Sequence, residues 1–301
     1  MAKLRKNHIK SERAAGFLGR AVFVSLALIA ILILAFIKFE SAINSESKGK
    51  TNSTKKSSVE QNDFEPTNNN KKIIYAKGSD GQIVDHKYYS LCYNEDTEQA
   101  DWVTYKLTRN SLAAPNVDRQ RRFNADPLVK TKSAVHKDYS HSGYTRGHMA
   151  PAGDMAFNKT AMKETFFMSN MSPQTKELNA GIWNDLEQSV RDWAFDNKEI
   201  YITTGPLFYD DSPERIGKTK VAVPDAFYKA ILDYEGNEKK SIGFIIPHQN
   251  FNDPLQSFAV SIEELERETG LDFFSDVYKD IEEEEKLESN YNIKKWKFNH
   301  N

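Results

Sequence analysis

The sequence predicts an α+β domain, with a mainly antiparallel central sheet flanked by helices, behind one N-terminal transmembrane helix. Seven short runs rich in β-branched and aromatic residues follow one another along the chain, separated by Gly, Pro, Asn or Asp, which favours a sheet built from sequence neighbours over a doubly wound one. One longer stretch, residues 176–195, repeats apolar residues at helical spacing. Residues 21–37 (AVFVSLALIAILILAFI) carry no charge and, with their flanks, are long enough to cross a hydrocarbon layer of about 30 Å.

Residues 1–20 hold Lys3, Arg5, Lys6, Lys10, Arg13 and Arg20 against the single acid Glu12, so the positive-inside rule makes them a cytoplasmic tail. Residues 21–38 are the expected signal anchor. A cleaved signal peptide is the rival, but the apolar run exceeds the usual signal core and residues 38–42 (KFESA) offer no small-x-small cleavage site. The expected placement is a single-pass protein of the cell membrane with its folded domain extracytoplasmic. A mitochondrial inner membrane ranks behind, because presequences are amphipathic rather than uniformly apolar. Residues 39–71 are polar, bury too little surface to offset their ordering entropy, and read as a disordered linker.

Within the expected domain, residues 72–278, the strand candidates are 72–76, 85–93, 101–107, 199–204, 221–223, 227–232 and 241–246, while residues 113–126 read as loop. In the 176–195 stretch, Ile182, Leu186, Val190 and Trp193 recur at i, i+4, i+8 and i+11, which is one buried helix face; Asn179, Trp183, Glu187 and Arg191 run along its margin. Cys92 is the only cysteine and lies in an aromatic run, so it reads as a small core hydrophobe and no intrachain disulfide can form. Residues 279–301 form a charged C-terminal tail whose acidic patch at 280–285 reads as a solvated helix end.

The net charge of −2 hides an asymmetry: the first 70 residues hold 11 Lys/Arg against 6 Asp/Glu, and the rest holds 30 against 37. A net acidic domain is awkward for a polyanion binder, since such affinity comes largely from Lys and Arg. Between residues 106 and 150 the balance reverses, with Arg119, Arg121, Arg122 and Arg146 among nine basic residues facing only Asp118, Asp126 and Asp138.

That basic region runs into residues 142–155, SGYTRGHMAPAGDM. Together with Asn179, Glu187 and Arg191 it supplies what a one-metal phosphodiesterase needs: a base for water in His148, a foothold for a hydrated divalent cation, and cationic donors for a phosphate. Gly147 suggests a tight turn, and Pro151 stops an immediate helix. Taken singly, each has a plainer explanation: His148 as a hydrogen-bonded turn histidine, and Glu187 with Arg191 as an i,i+4 surface pair worth a few tenths of a kcal/mol. His141 makes a poor zinc partner for His148, because no third ligand stands at a useful spacing.

The TRGHMAPAGDM run with Asn179, Trp183 and Glu187 resembles the DNA/RNA non-specific endonucleases of the ββα-metal (His-Me finger) superfamily, the endonuclease G-like group. Further blocks agree in order: RFNADP at 122–127, FFMSNMSPQ at 166–174, YITTGPLF at 201–208, VPDAFYK at 223–229 and TGLDFF at 269–274. The resemblance implies the ββα-metal nuclease fold and a sugar-non-specific endonuclease that cuts DNA and RNA to 5′-phosphate products with Mg²⁺, or Mn²⁺ in its place. It implies His148 as general base, Asn179 as the principal protein ligand of the ion, and Glu187 as the group that orients a water of the hydrated ion. Arg146 and Arg191 would brace the phosphate, Arg121 or Arg122 would contact the substrate backbone, and a homodimer is a further expectation. Thr145 stands where the motif usually carries aspartate; its hydroxyl supplies no charge, so the basicity of His148 or the pose of Arg146 is expected to differ. Two other readings stay open: a membrane-tethered nucleic-acid receptor that does not cut, and a phosphodiesterase acting on a small or lipid-linked substrate.

Overall fold

A computed structural model describes residues 74–235 and 238–299, all within Asn62–Asn301, the second of two units into which the chain divides. The basic tail, the expected anchor at 21–38 and the linker to residue 71 lie outside the described residues. Among the described residues, no helix is long and apolar enough to cross a membrane.

Strands β1 (Gln82–Asp85), β2 (Tyr89–Asn94) and β3 (Gln99–Thr108) lead into helix α1 (Arg109–Ala113). Then come β4 (Thr145–His148), α2 (Lys159–Glu164), β5 (Met171–Gln174), α3 (Lys176–Ala180) and α4 (Ile182–Asn197). The chain continues through β6 (Glu199–Leu207), β7 (Arg215–Ile216), β8 (Val221–Ala222), β9 (Ala226–Asp233), β10 (Lys240–Pro247), β11 (Ala259–Val260), α5 (Ile262–Thr269) and α6 (Ile281–Glu288). Seven strands form one sheet in the order β1-β2-β3-β6-β9-β10-β11, every pair antiparallel. The α+β class with an antiparallel sheet is thus as expected. β3 and β6 are neighbours in the sheet, so residues 109–198 leave it and return. That excursion carries every candidate catalytic residue.

Strand alternation divides the core into two layers. Val103, Tyr105 and Leu107 of β3 and Phe227 and Ile231 of β9 meet Trp183, Leu186, Val190 and Trp193 of α4. Trp102, Tyr228 and Leu232 face the opposite layer, with Ile262 and Leu265 of α5 and with the free Cys92. The i, i+4, i+8, i+11 face of α4 is buried throughout, as its spacing predicts. At its C-terminus the Arg109 guanidinium donates to the Phe195 and Asp196 carbonyls (2.7 Å to Asp196), satisfying groups that the helix leaves open and opposing its dipole. Arg109 is therefore a helix cap. The C-terminal stretch belongs to the same body: Trp296 is buried in the α4 layer, and Trp193 Nε1 donates to the Lys297 carbonyl at 2.6 Å.

Local structure departs from the expected elements at three places. Residues 74–76 form no strand, and the nearest ladder contact is a single bridge between Lys77 and Asp272. The run at 85–93 is broken into a hairpin, where the His86 N–H donates to the Tyr89 carbonyl at 3.0 Å. The helix expected across 176–195 is two helices, because Gly181 sits at φ −101°, ψ −123°, outside helical space, and a Cβ there would lie 2.6 Å from the Glu177 carbonyl oxygen.

Candidate active site

β4 and β5 form a separate two-stranded ribbon, with Thr145 opposite Gln174 and His148 opposite Met171, and α3 and α4 follow it. Residues 145–148 are therefore a strand, not the tight turn that Gly147 suggested. The glycine serves close approach: a Cβ at 147 would overlap the buried Gln174 side chain of the facing strand. Beyond His148 the chain is clamped by Asn170, whose Oδ1 accepts the Ala150 N–H (2.9 Å) and whose amide donates to the Ala150 and Thr165 carbonyls (3.0 and 2.9 Å).

His148, 9% exposed, packs edge-on against Phe166 with ring centroids 4.9 Å apart and lies 5.9 Å from Phe123. Burial first, then the positive charges of Arg119 and Arg146, push its pKa down to about 3. The imidazole is neutral at neutral pH, and its Nε2 is buried without a hydrogen-bond partner among the described residues. The Arg146 guanidinium stacks 4.8 Å above the Phe123 ring and that of Arg119 lies 5.2 Å from Phe166. Among the described residues neither pairs with a carboxylate. Two cations thus rest on aromatic faces beside a neutral base.

Asn179 is held from two sides. The Thr175 side chain caps α3 by accepting the Leu178 N–H (3.3 Å), and the Thr175 N–H donates to His248 Nε2 (2.8 Å), which leaves Nδ1–H to donate to the Pro224 carbonyl (2.7 Å). From β4, the Thr145 hydroxyl donates to the Gln174 carbonyl (2.9 Å) and accepts from Asn179 Nδ2 (2.9 Å). One hydroxyl therefore fixes which way the amide faces, and Oδ1 is left without a protein partner among the described residues. The contact that Thr145 makes within the site is thus with Asn179. Thr145 and His148 end the same four-residue strand, about 10 Å apart along it.

Arg191 does not pair with Glu187. Its Nη1 donates to Asp154 Oδ1 (2.9 Å), and the Tyr105 hydroxyl of β3 donates to Asp154 Oδ2 (2.8 Å), so one buried carboxylate ties α4 and the sheet to the loop after β4. Gly153 makes room, since a Cβ there would lie 3.1 Å from Arg191 Nη1. Glu187 is half-buried. Burial raises its pKa, Lys229 is the strongest charge opposing that rise, Asp154 adds to it, and Arg191 and Arg119 oppose it. Arg119 thus acts on both His148 and Glu187.

Arg121 lines a surface cavity of about 820 Å³ with Arg119, Phe123 and Phe166. Arg122 is exposed outside it. His141 lines a different cavity of about 500 Å³ with Asp138 and Lys218. Asp154 lies inside the 142–155 motif and Arg119 inside the basic loop, but no local spacing singles out either. His248 and Lys229 carried no local signal, since only the folded chain brings them to α3 and α4.

A sequence profile of the DNA/RNA non-specific endonuclease family matches residues 67–280. The chain belongs to that family. Nuclease EXOG, mitochondrial, of Xenopus laevis is 37% identical over 214 residues, 66% of this chain and 59% of that protein. Endonuclease G, mitochondrial, of Homo sapiens is 34% identical over 209 residues, 65% of this chain and 70% of that protein. Nuclease C1 of Cunninghamella echinulata var. echinulata is 37% identical over 213 residues, 65% of this chain and 84% of that protein. The chain spans less than two thirds of the EXOG nucleases of Xenopus laevis and Danio rerio, 59% and 64%. A crystal structure of the EndoG/EndoGI complex matches with TM-score 0.62 and 34% identity over 66% of this chain and 88% of that one.

The same relatives correct the expected placement at the cell membrane with an extracytoplasmic domain: EXOG and endonuclease G are mitochondrial nucleases, and the described residues of this family member hold no membrane-crossing helix. An apolar run measures the thickness a segment can span and says nothing of which membrane it meets. The segment at 21–38, on which that expectation stood, lies outside the described residues.

Proposed function

We propose that this family member is a metal-dependent endonuclease that hydrolyses phosphodiester bonds of DNA and RNA and leaves 5′-phosphate ends. The observation that supports this most is a neutral, buried imidazole whose Nε2 has no hydrogen-bond partner among the described residues, flanked by two guanidinium groups that no carboxylate among them neutralises. A general base must be unprotonated to act, and the surroundings of His148 keep it so; it takes the proton of the attacking water at Nε2. Arg146 and Arg119 can leave their aromatic faces for non-bridging phosphate oxygens without breaking an ion pair. Arg191, held in place by Asp154, braces the phosphate through its remaining N–H groups, and Glu187 orients the water by accepting its hydrogen. Arg121 contacts the substrate backbone from the neighbouring cavity, a role for which Arg122 is less well placed.

The donor set fits Mg²⁺ or Mn²⁺. One amide oxygen without a protein partner, and no group of three His, Cys, Asp or Glu side chains able to hold a metal among the described residues, suit an ion that keeps most of its waters rather than one in an all-protein cage. Held at Asn179, the ion would offset charge on the departing 3′-oxygen.

A plasmid nicking assay with Mg²⁺ and with EDTA, competed by single-stranded RNA and by duplex DNA, tests the reading. Nicked product with Mg²⁺ alone, suppressed by both competitors, is expected. Tight binding with no product under either condition would replace it with a non-cleaving nucleic-acid receptor.

A further inference from the structure

Alternation along β9 puts Phe227, Lys229 and Ile231 on the sheet face that packs against α4, and both flanking residues belong to that apolar layer. Position 229 is nonetheless a lysine, 1% exposed, paired across the sheet with Thr204 and Phe244. Its ammonium makes no hydrogen bond among the described residues and lies 4.8 Å from the centre of the buried Trp183 ring. Burying an ammonium is costly unless another charge compensates, and methionine would fill the same space without that cost. Packing alone gives the position no use for its charge.

The compensating charge stands one helical turn beyond Trp183, on the same side of α4: it is Glu187. Burial lowers the pKa of Lys229 and raises that of Glu187, and each is the strongest opposite charge acting on the other. The other groups facing Glu187 are Asp154, which disfavours its ionisation, Arg191 and Arg119, which favour it, and the hydroxyl of Tyr105 on β3, whose own ionisation Glu187 disfavours. Asp154 is already engaged by Arg191 and Tyr105, and Arg119 is exposed and stacked on Phe166. Lys229 is the cation supplied from inside the core.

We propose that Lys229 is a positioning residue of the phosphodiesterase site, its buried ammonium seated on Trp183 and favouring, through its charge and without a hydrogen bond, the ionised carboxylate of Glu187 one helical turn away. The role of Glu187 in this proposal rests on the nuclease reading; the pairing of the two residues does not.

A double-mutant cycle of Lys229→Met and Glu187→Gln, read by urea denaturation, measures the pairing without substrate. The double variant should lose much less stability than the two single losses combined, and simple additivity overturns the proposal. Should Lys229→Met not fold, Lys229→Gln enters the same cycle with the same criterion. In steady-state kinetics, loss of the ammonium makes Glu187 harder to ionise, so the acid limb of the kcat profile should move up by about one pH unit, about tenfold in turnover on that side, with KM little changed. An acid limb that stays in place in a folded Lys229→Met protein overturns the proposal. A wild-type protein that cuts no nucleic acid sinks the nuclease reading instead, because the cycle decides the pairing by itself.

Discussion

A histidine enclosed by two phenylalanines and approached by two arginines keeps its lone pair far below neutral pH. His148→Ala should therefore lower turnover by about 10² to 10⁴-fold, the usual worth of a general base, while circular dichroism reports an unchanged fold. Near-normal turnover would remove His148 from the chemistry. Thr145 makes a second prediction, since its hydroxyl alone joins the Gln174 carbonyl to the Asn179 amide. Thr145→Val should raise the Mg²⁺ concentration for half-maximal activity about 10-fold or more, as loss of an outer-shell partner commonly does, and Thr145→Ser should restore it. Equal Mg²⁺ titrations for Val and Ser would show that the hydroxyl does not hold the amide. His148 and Asn179 stand out in the sequence as candidates because their neighbours single them out; the partner of Arg191 does not, because helical spacing offers Glu187 and only the folded loop offers Asp154.

The β4–β5 ribbon depends on one missing side chain. Gly147→Ala would push a methyl group into Gln174, which is fully buried and cannot swing away, so a loss of about 1–3 kcal/mol, typical of overpacking, is expected in chemical denaturation. Stability equal to wild type would mean that Gln174 yields. On the far layer, burial first, then Glu266 and Glu284, push the carboxyl of Glu288 at the end of α6 up to about 8. A carboxyl whose folded pKa lies above its unfolded value favours folding while both states are protonated, and that contribution is lost as pH rises from the ordinary carboxylate value through the folded one. Glu288→Gln should therefore melt higher than wild type at pH 9 and differ less at pH 4. A constant difference across that range would exclude the linkage. Hydropathy spacing located α4 correctly and missed the break at Gly181, because apolar periodicity continues across a residue whose backbone leaves helical space.

Across the whole molecule, a net acidic domain carries Arg119 and Arg146, which pair with no carboxylate among the described residues, beside His148. Substrate capture should accordingly weaken with salt: raising NaCl from about 50 to about 200 mM should increase KM for duplex DNA severalfold with a smaller change in kcat, because screening acts on the encounter and counterion release on binding. A KM indifferent to salt would mean that the basic loop does not meet the substrate. By itself the sequence determined the α+β class, the buried face of α4 and the region of the candidate motif, since these follow from local periodicity and from residue types that few other arrangements require. Only the tertiary structure decided that residues 109–198 leave and re-enter one antiparallel sheet, that Asp154 rather than Glu187 holds Arg191, that Thr145 orients Asn179, and that a core lysine stands behind Glu187. Each of these brings together residues far apart in the chain, by packing and burial rather than by spacing.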